Sequence, residues 1–257
     1  MRIIHENLAL NALIYVSRGS EDVNYQLANA VSGQLSPETR LNAVSNQAVI
    51  SFDFGFAQAV NGCLVRGHNL LDGQYIFVSG NASETDPWAV GDKETTLKQS
   101  DNYIYYFFDS PKSHQYWHVG KGGFTQSYML FGEIWLFNNT ELPHNCTMSS
   151  AVDQRTGEVS EIITGGGNIW SYPQWKGRIF NLTWELLTES ELQAFIDLHG
   201  ACYPNKTFWL DVGIDSTSPD LLFCYYRNKS LDITPQGPGL YSVNLEIQEV
   251  SEPVYYA

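Results

Sequence analysis

The chain has 257 residues and a formal net charge of −14, with 43% hydrophobic, 14% aromatic and 16% charged residues. That much apolar material supports a packed core and excludes wholesale disorder. The acidic balance repels a phosphate backbone and an anionic bilayer, so neither nucleic acid nor membrane insertion is expected, and the dispersed charge reads as solubility.

Residues 1 to about 45 read as irregular, with one short apolar stretch from Ala12 to Val16. Strand signals then follow one another. Ile50, Phe52 and Phe54 alternate with Ser51 and Asp53, the period of a half-buried strand. Val60 to Val65 is a second apolar run, and Gln74 to Ser79 a third, entered through the turn Asp72-Gly73. Residues 80–102 are polar and read as a long surface loop with Trp88 as its large apolar residue. Three more strands are predicted at Tyr103 to Phe108, Tyr116 to Val119 and Tyr128 to Phe137. Short strands at this spacing predict a sandwich or jelly roll.

Residues 138–156 are polar, include Pro143 and read as a linker. Phe180, Leu182, Trp184 and Leu186 then alternate with Asn181, Thr183 and Glu185. Thr188 and Glu191 have the spacing of a capping box, so a helix is predicted to start there. Leu192, Phe195 and Ile196 would form its apolar face, and Gly200 would end it. Strands resume at Thr207 to Val212 and Leu221 to Tyr226. In the last strand Tyr241, Val243, Leu245 and Ile247 face one way, against Ser242, Asn244, Glu246 and Gln248. The expected organisation is a domain over 1–145 and a second β module with one helix over 146–257.

Few motifs carry chemistry. Cys63, Cys146, Cys202 and Cys224 form no C-x-x-C pair, and Cys63 and Cys224 sit in apolar runs, so free buried thiols are expected. Six N-x-S/T triplets, from Asn81 to Asn228, read as chance in a chain rich in Asn, Ser and Thr. His114 and His118 are four apart without the glutamate of an H-E-x-x-H site. His68, after Gly67, reads as a turn-capping group. G-x-S-x-G is absent, although a triad assembled from distant positions stays open. Gly165-Gly166-Gly167 lacks the Lys-Ser/Thr of a phosphate loop and reads as a flexible connection. Glu158 and Glu161 are paired carboxylates whose local spacing fixes no separation in space. Asp53 reads as a strand-end hydrogen-bonding group, with a calcium site as the alternative. Trp88 could stack on a sugar, meet a neighbouring subunit or cover its own core. No cofactor, metal or catalytic residue is expected.

Two segments carry a family resemblance. FDFGFAQAVNGCLVRGHNL at 52–70, with YWHV and YMLFGEIWLF within 116–137, resembles the discoidin-like (galactose-binding-like) jelly roll, in the form found in phage and prophage tail proteins. GRIFNLTWELLTESELQAFIDLHGACYPNKTFWLDV at 177–212 and LYSVNLEIQEV at 240–250 are similar to the C-terminal part of minor or distal tail proteins. The resemblance implies a mostly β chain: a discoidin-like sandwich followed by an antiparallel β module with one short helix. It implies a structural virion protein, an adaptor, distal or tip subunit assembled in a host cytoplasm. Its partners would be its own copies, in a ring or trimer, and neighbouring tail proteins. The alternative is recognition of a host-surface glycan through loop residues such as Trp88 and His114; a hydrolase with an unrecognised site is the third reading.

Overall fold

A computed structural model describes residues 1–31, 39–83, 92–97, 103–123, 126–143, 146–147, 159–163, 169–173, 179–203, 206–211, 221–227 and 230–250. In chain order the first strands are β1 (Arg2–Ile4), β2 (Leu13–Arg18), β3 (Ser20–Glu21), β4 (Thr39–Asn42) and β5 (Gln47–His68). Next come β6 (Tyr75–Asn81), β7 (Asp92–Leu97), β8 (Tyr103–Gly122), β9 (Tyr128–Phe137) and β10 (Thr140–Glu141). After them lie β11 (Cys146–Thr147), β12 (Val159–Ile163), β13 (Ile169–Pro173) and β14 (Ile179–Leu187). Helix α1 (Glu189–Cys202) precedes β15 (Phe208–Asp211), β16 (Leu221–Tyr226), β17 (Asp232–Gly237) and β18 (Leu240–Glu249). The chain is mostly β, antiparallel and carries one α-helix among the described residues, as the sequence pattern predicts.

Contacts divide the chain into a first unit, Glu6–Asn138, and a second, Met1–His5 with Asn139–Ala257. The division falls after Asn138 where the sequence suggests a boundary at 145, and Met1–His5 groups with the second unit because β1 pairs with β10 and β15.

In the first unit one sheet runs in the order β3-β4-β9-β5-β8-β6-β7, with β2 added against β5. The two runs read as separate strands, Ile50–Phe54 and Val60–Val65, are halves of β5. Likewise Tyr103–Phe108 and Tyr116–Val119 belong to one strand, β8. The pair stays antiparallel throughout, but the register breaks twice. Asp53 faces Tyr116 and Gln58 faces His114, so extra residues lie on β5; Val60 then faces Lys112 and Gly62 faces Phe107, so extra residues lie on β8. The two bulges cancel, and the strands bend without losing alignment. Glycine permits the first bend: Gly55 has φ +73, a left-handed conformation costly for other residues.

The alternation builds the core as predicted. Ile50 and Phe52 from one half of β5 and Cys63 and Val65 from the other join Ile104, Trp117, Val119, Ile134 and Leu136 in one cluster, each at most 1% exposed. Burying a large aliphatic or aromatic side chain contributes about 1.5–3 kcal/mol. Two expectations fail here. Residues 1–45 are not irregular, since β1 to β4 and two short 3-10 helices, Leu8–Asn11 and Leu27–Val31, occupy them. The segment 80–102 is not loop throughout, because Asp92–Leu97 pairs with β6. Residues 1–45 do bury side chains, among them Ile3, Ile4, Leu8, Leu27, Val31 and Leu41, but from strands of two to six residues and short 3-10 turns that show no sustained apolar period.

The second unit is an eight-stranded sheet in the order β10-β1-β15-β16-β18-β14-β11, with β17 on β18; β12 and β13 pair with each other. β18 is the organiser, pairing with β14, β16 and β17. Its predicted inward residues Val243, Leu245 and Ile247 are buried, with Tyr241 packed on the cluster. Three details depart from the sequence reading. Leu186 is 58% exposed and has φ +57, because a bulge after Trp184 turns Leu187 inward instead. On α1 the buried face is Leu192, Phe195, Leu198 and Cys202, while Ile196 is 40% exposed. The helix also passes Gly200 and is capped by Tyr203, whose N–H donates to the His199 carbonyl. Phe195 meets Trp184 at 4.8 Å between centroids, which fixes the helix to the sheet. β12, β13 and β17 were not anticipated; the triple glycine Gly165–Gly167 lies outside the described residues.

The predicted capping box is present. Glu191 N–H donates to Thr188 Oγ1, and Thr188 N–H donates to Glu191 Oε2 at 2.8 Å. The bonds that the Glu191 carboxylate accepts from the Thr188 N–H and the Thr188 hydroxyl hold it below its usual range. Thr188→Ala is expected to cost about 1 kcal/mol, read as a lower denaturant midpoint with an unchanged slope; an unchanged midpoint would show that the cap contributes nothing.

Candidate functional site

The long bent strands bring polar and aromatic side chains together at the β5 bulge. Residues directly opposed across a ladder point to one face. Leu13 of β2 faces Asp53 of β5, Asp53 faces Tyr116 of β8, and Tyr116 faces Asn81 of β6. A single row therefore crosses four strands. Phe52, Trp117 and Gly80 occupy the neighbouring row, and Phe52 and Trp117 point into the core. The row Leu13–Asp53–Tyr116–Asn81 thus lies on the opposite face. Leu13 is 70% exposed, Asp53 and Tyr116 are half-buried, and Asn81 is buried.

The bulge supplies the rest. Asp53 Oδ1 accepts from the Gly55 N–H at 2.7 Å and from Gln115 Nε2 at 3.0 Å. The hydrogen-bonding role read from the sequence is present, at a bulge inside β5 rather than at a strand end, and it holds both the turn and the Gln115 amide. Phe56 follows Gly55 at the tip, where it is 63% exposed. Phe56 thus presents its ring to solvent, three residues along the chain from the Asp53 carboxylate. The cluster offers a flat apolar surface, an anionic acceptor and an amide that both donates and accepts.

His114, singled out in the sequence, sits opposite Gln58 beside this bulge. Its ring lies over Gly80 and meets Trp117 edge-on at 5.6 Å between centroids, while its carbonyl accepts from Trp117 Nε1 at 3.1 Å. A Cβ at Gly80 would overlap the imidazole, so the absent side chain makes room for it. These contacts of the ring are packing contacts, against Trp117 and over Gly80. Trp88, the other residue singled out, lies outside the described residues. Phe56, Tyr116 and Gln115 were missed as site residues. Phe56 alone left a signal, an aromatic after glycine where the alternation of β5 breaks.

A second polar row lies next to the first. Tyr15, Ser51, His118 and Ser79 are opposed across the same strands. Ser51 Oγ is 2.6 Å from His118 Nδ1 and 2.8 Å from Ser17 Oγ. Ser51 and His118 are both 0% exposed, so a substrate has no approach to the hydroxyl. The chain of bonds reads as a structural pin between β2, β5 and β8. His68 caps its turn as predicted, accepting from Leu70 N–H at 3.3 Å, and Gly67 has φ +61. Asn69 ties that turn to β9, donating to the Tyr128 carbonyl and accepting from Leu130 N–H.

Other titratable groups are perturbed by burial away from this site. Burial pushes the Cys63 thiol up, and it pushes the Cys202 thiol up to about 11 against the opposing charge of Lys206. Cys63, Cys202 and Cys224 are buried. Burial raises the Glu133 carboxyl, opposed by a Trp135 hydrogen bond and the Arg66 charge, and it lowers the Lys121 amine. No cluster of three metal-ligating side chains occurs among the described residues, and no described helix is long and apolar enough to cross a membrane.

No family model matches the sequence, and no curated protein matches it. Among solved structures, the chain is similar to the family 32 carbohydrate-binding module of C. perfringens NanJ in complex with galactose. Identity is 12% and the TM-score 0.41, over 54% of this chain and all of that one. A chitosan-binding module from a Paenibacillus sp. IK-5 chitosanase/glucanase aligns at 20% identity and TM-score 0.41, over 52% of this chain and all of that one. A Streptococcus pneumoniae fucose-binding module aligns at 17% identity and TM-score 0.41, over 52% of this chain and 95% of that one. Likenesses at this level carry no argument about ligand. The mostly β class of this chain stands on its own strand pairing.

Proposed function

We propose that the first unit is a discoidin-like binding module that takes a carbohydrate at the β5 bulge. The observation that carries this reading is Phe56, 63% exposed at the tip, beside the fixed Asp53–Gln115 pair and the half-buried Tyr116. A pyranose has an apolar C–H face and a rim of hydroxyls. Phe56 or Tyr116 supplies a ring for the face, and Asp53, Gln115 and Gln58 supply acceptors and donors for the rim. His114 borders the same bulge.

The test is a glycan array probed with the full chain, followed by titration of the best ligand. Phe56→Ala is expected to weaken binding about ten-fold, the worth of one stacked aromatic. Its melting temperature should hold, because an exposed ring contributes little to the core. Absence of any array signal, or full affinity in Phe56→Ala, would sink the reading.

The setting we propose for this module is the tail of a phage or phage-like particle. The support is the second unit, where the tail-like sequence pattern folds as one connected piece: β14, the capped helix α1, β15 and the closing strand β18. In that setting the protein is an adaptor or tip subunit, assembled with its own copies and neighbouring tail proteins. Quantitative mass spectrometry of purified particles tests this: a fixed copy number beside tube and hub proteins is expected, and absence from particles overturns it.

A further inference from the structure

We propose that the site at the β5 bulge selects neutral and amine-bearing sugars over anionic ones, and that Asp53 makes the selection; the inference rests on the carbohydrate reading above. Asp53 stands in the cross-strand row between exposed Leu13 and half-buried Tyr116. Its Oδ1 is committed to the Gly55 N–H and the Gln115 amide. The carboxylate is thereby held in one position, and Oδ2 is left to accept from a ligand hydroxyl or ammonium. A ligand carboxylate placed over Tyr116 or Phe56 meets that fixed negative charge. Among the described residues, neither the row nor Gly55–Gln58 carries a lysine or arginine. Lys112 lies further along β8, opposite Val60. The chain's net charge of −14 adds a long-range term of the same sign.

Two charges at contact distance near a surface interact strongly enough to decide affinity, and salt weakens the effect. Asparagine at position 53 keeps an oxygen to accept from Gly55 and Gln115, so it removes the charge while leaving the turn its acceptor. The experiment takes the best neutral ligand from the array, its amino analogue and its carboxylate analogue, and titrates each into the full chain at low and high salt. The carboxylate analogue is expected to bind at least about ten-fold more weakly than the neutral ligand at low salt. High salt should narrow that gap in the unmodified protein, and Asp53→Asn should close it to within about two-fold. Equal binding of neutral and anionic analogues, or a gap that survives both salt and Asp53→Asn, overturns the selection and leaves the carbohydrate reading standing. Failure of all three ligands to bind overturns both.

Discussion

Trp117→Ala is expected to cost about 3–5 kcal/mol of folding free energy, the largest loss of any single substitution argued for the first unit. Trp117 is 0% exposed and belongs to the core cluster. Its ring lies 5.7 Å from Phe108 and 5.6 Å from His114 between centroids. Alanine removes those contacts and opens a cavity between rigid strands that cannot close around it. It also removes the indole N–H that donates to the His114 carbonyl at 3.1 Å, which costs about 1 kcal/mol more if the carbonyl is left unpaired. Trp117→Phe separates the two effects, since it keeps a ring and loses the donor. Urea unfolding followed by a probe of the first unit measures both, because a chain of two units need not unfold in one step. A loss under about 1 kcal/mol for Trp117→Ala would mean that the core tolerates the void and that the packing argument is wrong. The variant also bears on the site: His114 loses its neighbour, so ligand binding should weaken even in molecules that remain folded.

What the sequence disclosed and what it hid follow a physical division. Period-two alternation showed wherever one face of a strand enters a core, as in Ile50–Phe54 and Tyr241–Ile247, because the residue choice there is dictated by burial. The capping box at Thr188 was equally legible, since both of its hydrogen bonds are local in sequence. Edge structure was hidden. β17 contributes backbone pairing to β18 with all its residues exposed, and pairing leaves no mark on residue type. Bulges misled the pattern in both units. The break at Gly55–Ala57 looked like the end of a strand, and the turn at Leu186 displaced the inward register by one residue to Leu187. Ile196 was placed on the wrong side of α1 because the stripe, read from three residues, could be drawn a little to either side.

The site was hidden for a related reason. Leu13, Asp53, Tyr116 and Asn81 are scattered over about a hundred residues of chain, and only the register of four strands aligns them. A motif search sees spacing along the chain, while this row exists across it. Phe56 was passed over because an aromatic beside an apolar run reads as core rather than as surface. Exposure alone separates the two cases, and exposure at that position is set by the bulge.

Gly62 offers the sharpest test of the register itself. It faces Phe107 on β8 and Phe137 on β9. The two rings meet above it, edge-on at 5.3 Å between centroids. A Cβ there would lie 2.6 Å from Phe137 Cζ and would overlap the Tyr106 carbonyl. The ring is 0% exposed and the carbonyl is backbone, so neither yields easily. Gly62→Ala is therefore expected to cost about 3 kcal/mol, the upper end for overpacking. Gly55→Ala is the control. Nothing lies within 4 Å of a Cβ at Gly55, and its φ of +73 makes alanine pay only for conformation, about 1 kcal/mol. If the register is right, trimming the ring must relieve part of the clash, so Gly62→Ala should cost less in a Phe137→Leu background than alone. Denaturant midpoints for the two single variants and the double variant decide it. Costs that simply add, or a Gly55→Ala loss as large as that of Gly62→Ala, would mean that Phe137 does not sit over Gly62 and that β5 and β9 are paired in another register.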